Sequence, residues 1–120
     1  MHLDFKAEAS TWTDAAALAS RLQAGGFAGI LYTEGAQVPW MMIAAAAQAA
    51  DRLMFSTGIA VAFPRSPMVS AQIAWELARN TGGRFRLGLG SQVKAHVTRR
   101  YSSEFDRPAS RMRDYVLAVK

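Results

Sequence analysis

The sequence has 120 residues, 51% of them hydrophobic and 19% charged, which predicts one small folded domain rather than a disordered chain. It contains no cysteine, which excludes disulfides, thiolate metal sites and cysteine nucleophiles and agrees with the cytoplasmic location that we expect. The first ten residues, MHLDFKAEAS, lack the apolar core of a signal peptide. The longest apolar run, 38–47, is half of the roughly 20 residues that a membrane span needs, so we expect no membrane partner.

The net charge of +5 is unevenly distributed along the chain. Residues 1–83 carry five basic and six acidic groups, whereas residues 84–120 carry nine basic and three acidic groups. A basic C-terminal third is typical of a protein with an anionic partner, and also of an ordinary solvated surface. Aromatic residues do not alternate with these charges as they do in nucleic-acid-binding segments, so we expect no nucleic-acid partner.

Four short apolar runs predict β-strands, and they begin at intervals of roughly 25 to 30 residues, the spacing of βα units. Helical patterns lie between and after them. The first has Thr11 or Thr13 available as N-cap, the second begins at Pro39, and the third has Ser66 as N-cap and Pro67 in its first turn. Such alternation predicts an α/β fold with a parallel sheet. The predicted strands span 3–7, 27–32, 54–61 and 85–89, and the helices lie within 11–26, 39–52, 66–83 and 106–120.

The last helical pattern reaches residue 120 without a glycine, asparagine or proline after it, as expected for part of a longer protein. Four βα units are half of a (β/α)8 barrel, which takes about 250 residues. We therefore predict that residues 1–120 form one partial domain, the N-terminal half of a TIM barrel. A small doubly wound parallel sheet is the alternative. The open strand edges of a half barrel predict self-association, and we expect a homo-oligomer.

Ligands of parallel α/β folds bind at the carboxyl ends of the strands, which directs attention to the residues that follow each run. Glu34 follows the second run, where it could serve as a proton donor or lie in water as a loop residue. Arg65 precedes the third helix, where it could contact an anion. The two histidines, His2 and His96, are far apart and have no acidic partner pattern, so no metal site is predicted.

Glycines interrupt the third and fourth predicted strands. Gly58, after Thr57, indicates a bulge, the close approach of a ligand, or close helix packing. The fourth strand runs into LGLGSQ, residues 87–92, which lacks the lysine-serine/threonine ending of a phosphate loop and the third glycine of the dinucleotide fingerprint. Gly88 and Gly90 would let a flat ring approach the strand end, and a tight turn is the alternative.

Three stretches together resemble the bacterial luciferase-like superfamily: TGIAVAFPRSP at 57–67, GGRFRLGLGSQVKAH at 82–96 and RPASRMRDYVLA at 107–118. The sequence is most similar to the branch of oxidoreductases that depend on the deazaflavin coenzyme F-420, and residues 27–120 fit the first half of such a protein. The resemblance implies a TIM barrel with the deazaflavin or flavin ring across the carboxyl ends of its strands. It also implies a bulge behind the ring, often with a non-prolyl cis peptide, after the third strand. The residues that it assigns to the cofactor are Thr57, Gly58, Ile59, Gly90, Ser91 and Gln92.

The function that the resemblance implies is hydride transfer between F-420 and a small organic substrate. Relatives often have an acid–histidine pair after the second strand, and this sequence has Glu34 and Gly35 there, which leaves Glu34 as the catalytic candidate. An FMN-dependent monooxygenase that uses molecular oxygen is the alternative. A third hypothesis, of a different class, is a non-catalytic basic module that binds an acidic partner. Its residues would be Arg99, Arg100, Arg107, Arg111 and Arg113.

Overall fold

Strands and helices alternate along the chain in the computed structural model, which describes residues 1–8 and 11–120. The strands are β1 (Asp4–Ala7), β2 (Gly29–Tyr32), β3 (Met54–Thr57), β4 (Ala60–Val61), β5 (Phe85–Arg86) and β6 (Leu89–Gly90). The helices are α1 (Trp12–Ala24), α2 (Pro39–Gln48), α3 (Pro67–Asn80), α4 (Lys94–Tyr101) and α5 (Pro108–Val119). Helix α4 was not predicted from the sequence, and the third and fourth predicted strands each consist of two pieces.

All strand pairs are parallel, and neighbours in the sheet are consecutive units of the chain. One sheet has the order β1-β2-β3-β5, and the second pieces of the broken strands, β4 and β6, pair with each other. A doubly wound sheet would reverse its strand order at a switch point. The order in this chain advances without reversal, as it does around a barrel. The predicted α/β class is therefore confirmed, and the topology favours the partial barrel over the doubly wound alternative.

Helices α1 and α3 begin at side-chain caps that satisfy backbone N–H groups of the first turn. The Thr11 hydroxyl accepts from the Asp14 N–H at 3.1 Å, and the Asp14 carboxylate accepts from the Thr11 N–H, which completes a capping box. Thr11, rather than Thr13, is thus the cap. Ser66 caps α3 by accepting from the Val69 N–H at 3.2 Å. These caps fix where each helix leaves the strand before it.

The core lies between one face of the four-stranded sheet and helices α1 to α3. Ile30 and Phe55 from the sheet and Ile43 from α2 are all fully buried there. A second cluster, with Val61, Val97 and Tyr115, packs α4 and α5 against β4. Within the described part of the chain, no helix is both long and apolar enough to cross a membrane.

Candidate functional site

The third barrel strand is broken at the peptide bond between Gly58 and Ile59, which is cis. The predicted position of a non-prolyl cis peptide is thus confirmed. The last residue of β2 and the two residues that follow it bind this break from one side. The Gly58 N–H donates to the Tyr32 carbonyl at 2.8 Å, and the Thr33 hydroxyl donates to the Gly58 carbonyl at 2.8 Å. The Glu34 N–H donates to the Ile59 carbonyl at 3.1 Å.

The fourth barrel strand holds the same break from the other side. The Ala60 N–H donates to the Gly88 carbonyl at 2.8 Å, and the Ala62 N–H donates to the Gly90 carbonyl at 2.9 Å. The Thr57 hydroxyl donates to the Gly88 carbonyl at 2.7 Å and accepts from the Gly88 N–H at 2.8 Å. The side chain of Thr57 therefore bonds the fourth strand where the backbone pairing of the two strands is interrupted. The break is thus hydrogen-bonded along both of its edges.

Glu34 and Arg65 form a buried ion pair at the same end of the sheet. The Arg65 guanidinium contacts both carboxylate oxygens of Glu34, at 2.6 Å and 2.9 Å. The side chain of Glu34 is 1% exposed and that of Arg65 is 15% exposed. The carboxylate also accepts from the Val61 N–H at 2.7 Å and from the Tyr101 hydroxyl at 3.2 Å. Glu34 is therefore not the water-exposed loop residue that the sequence left open as an alternative.

Burial and the negative charge of Glu34 shift the pKa values of Arg65 and Tyr101 at this end of the sheet. Burial acts to lower the pKa of Arg65, but the hydrogen bonds and negative charge of Glu34 outweigh it, so this pKa is raised. The pKa of Tyr101 is raised by burial first and by the negative charge of Glu34 second.

Arg65 also lies over the ring of Trp40, with its guanidinium carbon 5.6 Å from the ring centroid. Arg65 donates to both carboxylate oxygens of Glu34 and to the Val61 carbonyl. Glu34 is thus one anion that Arg65 contacts, and contact with an anion of a ligand stays a prediction.

The glycines near the break make room for other parts of the chain. A Cβ atom at Gly88 would lie 2.0 Å from the Thr57 carbonyl oxygen, and one at Gly90 would lie 2.9 Å from the Ile59 side chain. A Cβ atom at Gly58 would lie 2.5 Å from the Leu31 side chain. The interpretation that the fourth strand ends in glycines to admit a ring is therefore incomplete, since close packing already requires them. Ile59, half-buried, is the side chain that Gly90 accommodates.

The turn after β6 is held by local contacts. Gln92 has a positive φ of 59°, and its side-chain oxygen accepts from the Val93 N–H at 3.1 Å. The Ser91 hydroxyl donates to the Gln92 carbonyl at 3.2 Å. Ser91 and Gln92 are partly exposed and lie directly after the strand piece that pairs with β4. The structure thus places Gly90 alongside the broken strand, with Ser91 and Gln92 directly after it, and Glu34 and Arg65 bind the same strand at Val61. The role of these residues toward a cofactor stays a prediction.

Sequence reasoning missed three contributors to this end of the sheet. Thr33 binds the Gly58 carbonyl, and Trp40 lies under Arg65. Tyr101 belongs to α4 and reaches Glu34 across 67 positions of sequence. Of these three residues, only Thr33 is adjacent in sequence to a predicted site residue, Glu34. Nothing in the local pattern around Trp40 or Tyr101 indicates these contacts, because they depend on how α2 and α4 pack.

Most of the arginines proposed for a basic module bind within the chain. Arg100 donates to the Gly35 carbonyl, and Arg111 donates to the Glu104 carbonyl at 2.6 Å while lying 4.4 Å from the Phe63 ring centroid. Arg107 pairs with Asp106, and Arg113 with Asp114, on the surface. These contacts leave less free positive charge on α4 and α5 than the composition indicates. Among the described residues, no three histidine, aspartate or glutamate side chains are grouped closely enough to bind a metal ion.

Two surface depressions differ in what they adjoin. A cavity of about 600 Å³ lies at the carboxyl ends of β1 and β2 and includes Lys6, Tyr32 and Thr33 in its lining. Burial raises the pKa of Tyr32 to about 12, and its hydroxyl has no partner among the described residues. A larger depression of about 860 Å³ runs along α3 beside Met68 and Trp75, away from the strand ends. Volume alone therefore does not select the candidate site. We take the strand ends as the candidate because ligands of parallel α/β folds bind there.

The fold and the site define the class of protein to which this chain is related. The model of the luciferase-like monooxygenase family matches residues 2–120, and the chain belongs to that family. An uncharacterized protein of Mycobacterium tuberculosis is 40% identical over 106 residues, which cover 88% of this chain and 31% of that protein. The chain thus spans about a third of the length of this relative.

Solved structures confirm the fold. One is the oxygenating constituent of 3,6-diketocamphane monooxygenase from Pseudomonas putida in complex with FMN, with a TM-score of 0.84 and 16% identity. Another is the coenzyme F420-dependent tetrahydromethanopterin reductase from Methanopyrus kandleri, with a TM-score of 0.82 and 18% identity. The matches cover 99% and 96% of this chain but 39% and 38% of those chains. This chain therefore has the fold of part of a luciferase-like TIM barrel.

Proposed function

We propose that residues 1–120 are a single partial domain, the N-terminal portion of a luciferase-like oxidoreductase. The complete protein would transfer a hydride between coenzyme F-420 and a small organic substrate. The family match over residues 2–120 supports the oxidoreductase class. The coverage of 31% of a relative and 38–42% of the structural neighbours supports a partial barrel. The cytoplasmic location and the homo-oligomeric state remain parts of this proposal.

The observation that carries the proposal is the broken third strand, fixed beside the turn after β6 at the carboxyl ends of parallel strands. The exposed part of this edge is formed by Gly58, Ile59, Gly90, Ser91 and Gln92, none of which is charged and all of which are half-buried. A flat, largely apolar ring fits such an edge, because it needs shape and dispersion contacts rather than a counter-charge. Thr57 is buried, so its role toward a ring would be to hold the strands behind it.

The bound deazaflavin would supply the hydride chemistry, and the protein would bind it, orient it and exclude water. Ile59 and the backbone at Gly58 would lie behind the ring, and Ser91 and Gln92 would lie at its rim. Residues 84–120 carry nine basic and three acidic groups, and contacts to backbone carbonyls, as at Arg100 and Arg111, do not neutralise this excess. It favours an anionic tail on the ligand. Catalysis by Glu34 stays a prediction of the sequence, and the geometry does not favour it, because each of its carboxylate oxygens already accepts two hydrogen bonds.

An FMN-dependent monooxygenase is the second candidate. One observation favours it: the residue beside Glu34 is Gly35, so the acid–histidine pair that the resemblance associates with F-420 is incomplete. The structural neighbours include a protein in complex with FMN as well as proteins named as F420-dependent. The non-catalytic basic module is the least favoured, since Arg100 and Arg111 bind backbone carbonyls of this chain.

The test is a binding titration of the full-length protein with F-420 and with FMN, followed by fluorescence. We expect saturable F-420 binding, and turnover of an organic substrate without oxygen. Preferred FMN binding with oxygen-dependent turnover would establish the second candidate instead. Binding of neither ring would overturn both enzyme proposals.

Gly58→Val refines this test at the candidate ring position. A side chain at Gly58 would displace Leu31, the half-buried residue on the opposite face of β2 from Ile30. We expect cofactor affinity to be lost with little change in far-ultraviolet circular dichroism. Gly35→Ala is the matched control, since a Cβ atom there would meet nothing within 4 Å. Unchanged affinity in Gly58→Val would mean that this glycine serves packing alone.

A further inference from the structure

Polar atoms of the loop after β2 bind one short segment of the third strand. This segment, residues 58–61, is called the break segment below. Thr33 binds its first carbonyl through a hydroxyl, and Glu34 binds its second carbonyl through a backbone N–H. The Glu34 carboxylate binds the N–H of Val61. Two consecutive residues therefore contact three of the four residues of the break segment.

Arg65 completes a closed set of hydrogen bonds around the backbone of Val61. The Val61 N–H donates to Glu34 at 2.7 Å, and the Val61 carbonyl accepts from Arg65 at 2.8 Å. Arg65 and Glu34 are joined by two further hydrogen bonds, and bidentate pairs of this kind fix orientation as well as distance. Both polar backbone groups of Val61 are thus bound by the same ion pair. The pair cannot shift without moving the strand on which it acts.

The contacts of Glu34 leave it no free acceptor site. A carboxylate has about four lone-pair positions, and this one accepts two hydrogen bonds from Arg65, one from Val61 and one from Tyr101. Its side chain is also shielded from solvent. A substrate or cofactor proton could reach Glu34 only after one of these bonds broke. Its geometry suits holding the backbone better than exchanging a proton.

We propose that Thr33, Glu34 and Arg65 are positioning residues that set the break segment against the cofactor ring, and that Glu34 does not transfer a proton. The inference rests on the proposed function, because it assigns these residues a role toward the ring that the break segment would contact. It differs from the sequence prediction of a catalytic Glu34. Thr33 allows the clearest test of this proposal, because it is exposed and its hydroxyl donates one hydrogen bond, to the Gly58 carbonyl.

The experiment compares Thr33→Val with Thr33→Ser in the full-length protein. Valine matches threonine in shape and removes the hydroxyl, whereas serine retains it. For Thr33→Val we expect about ten-fold weaker binding of F-420 or FMN, the equivalent of one hydrogen bond, and an altered visible circular dichroism of the bound ring. We expect Thr33→Ser to stay within about two-fold of the unmodified protein, because the donor is restored. Asp114→Asn is the control, because Asp114 forms an exposed pair with its neighbour Arg113 on α5, a helix that contributes none of the candidate site residues.

Glu34→Gln separates positioning from proton transfer. We expect it to weaken ring binding and alter the visible spectrum, as Thr33→Val does. Normal binding and a normal spectrum with loss of turnover alone would identify Glu34 as a proton donor and overturn the proposal. Normal binding by Thr33→Val would overturn it independently, even if Glu34→Gln failed to fold. If the unmodified protein bound neither ring, the proposed function itself would fail, and that result is visible before any variant is measured.

Discussion

Two loops flank the broken strand at the carboxyl ends of the sheet, and they are held in opposite ways. The loop of Thr33 and Glu34 is tied by contacts that span 25 to 67 positions of sequence. The turn of Ser91 and Gln92 is tied by side-chain contacts to the next residue along the chain. The first loop is defined by the packing of the domain, and the second by its own backbone.

This difference shows what each loop can tolerate. Local contacts survive changes elsewhere, because they need only the turn itself. Long-range contacts fail together when one partner is lost, since a buried charge is left without its counter-charge. We therefore expect substitutions at the first loop to affect the stability of the whole domain, and substitutions at the second to remain local. The following predictions test that contrast in the full-length protein.

Removal of Arg65 should have the largest effect. In Arg65→Met the carboxylate of Glu34 stays buried but loses two of its four hydrogen bonds and its counter-charge. We expect the free energy of unfolding to fall by about 3–5 kcal/mol. Urea denaturation measures this, with Arg113→Met as control, since the exposed Arg113–Asp114 pair should contribute about 1 kcal/mol or less. Equal effects of the two substitutions would mean that the buried ion pair of the first loop contributes no more than an exposed one.

Gly88→Ala should have the next largest effect. The added Cβ atom would lie 2.0 Å from the carbonyl oxygen of Thr57, which is backbone and cannot rotate away as a side chain could. Overpacking of this kind costs about 1–3 kcal/mol, occasionally more, and we expect the upper part of that range. Gly35→Ala, with open space around its Cβ position, should change stability by less than about 1 kcal/mol. A neutral Gly88→Ala would mean that the strands can separate at this point without loss.

The sequence predicted those parts of the fold that depend on local pattern. The alternation of apolar runs and helices predicted the βα units, and Ser66 and Thr11 marked true helix caps. The resemblance placed the break at Gly58 and Ile59, where the structure has it. The apolar pattern did not predict the breaks in the third and fourth strands, because Ile59 and Leu87 keep the apolar character of a continuous strand.

The ion pair could not be predicted from pattern, although both of its residues were singled out. Glu34 and Arg65 each stand in a polar loop where an exposed side chain is the ordinary outcome. Their pairing depends on the turn after β4, which brings Arg65 over Trp40 and onto Glu34 across 31 positions of sequence. Helix α4 was not predicted, because its eight residues are mostly polar and it has no side-chain cap. Only Val97 is buried on α4, so its apolar pattern is too sparse to indicate a helix.

Tyr32, the last residue of β2, offers a pH-dependent test of the strand end that precedes the first loop. Burial raises its pKa to about 12, so above pH 10 the folded protein keeps a proton that the unfolded chain releases. Stability should therefore fall as the pH rises from about 10 to about 12, and Tyr32→Phe should show less of this fall. At pH 7 we expect a change below about 1 kcal/mol, because the hydroxyl has no partner among the described residues. Thermal melts of both proteins across that pH range provide the measurement, and parallel curves would contradict the prediction.

Gln92→Gly should have the smallest effect of the four. The left-handed backbone at φ 59° costs glutamine about 1 kcal/mol, which glycine would recover. Glycine would in turn lose a similar amount through the greater freedom of the unfolded chain, and the Val93 N–H would exchange the glutamine oxygen for water. We expect these contributions to cancel to within about 1 kcal/mol in urea denaturation. A loss above about 2 kcal/mol would show that long-range contacts hold this turn too, because that value exceeds what its local bonds supply. Retained stability with weakened cofactor binding would instead support contact between the Gln92 side chain and the ring.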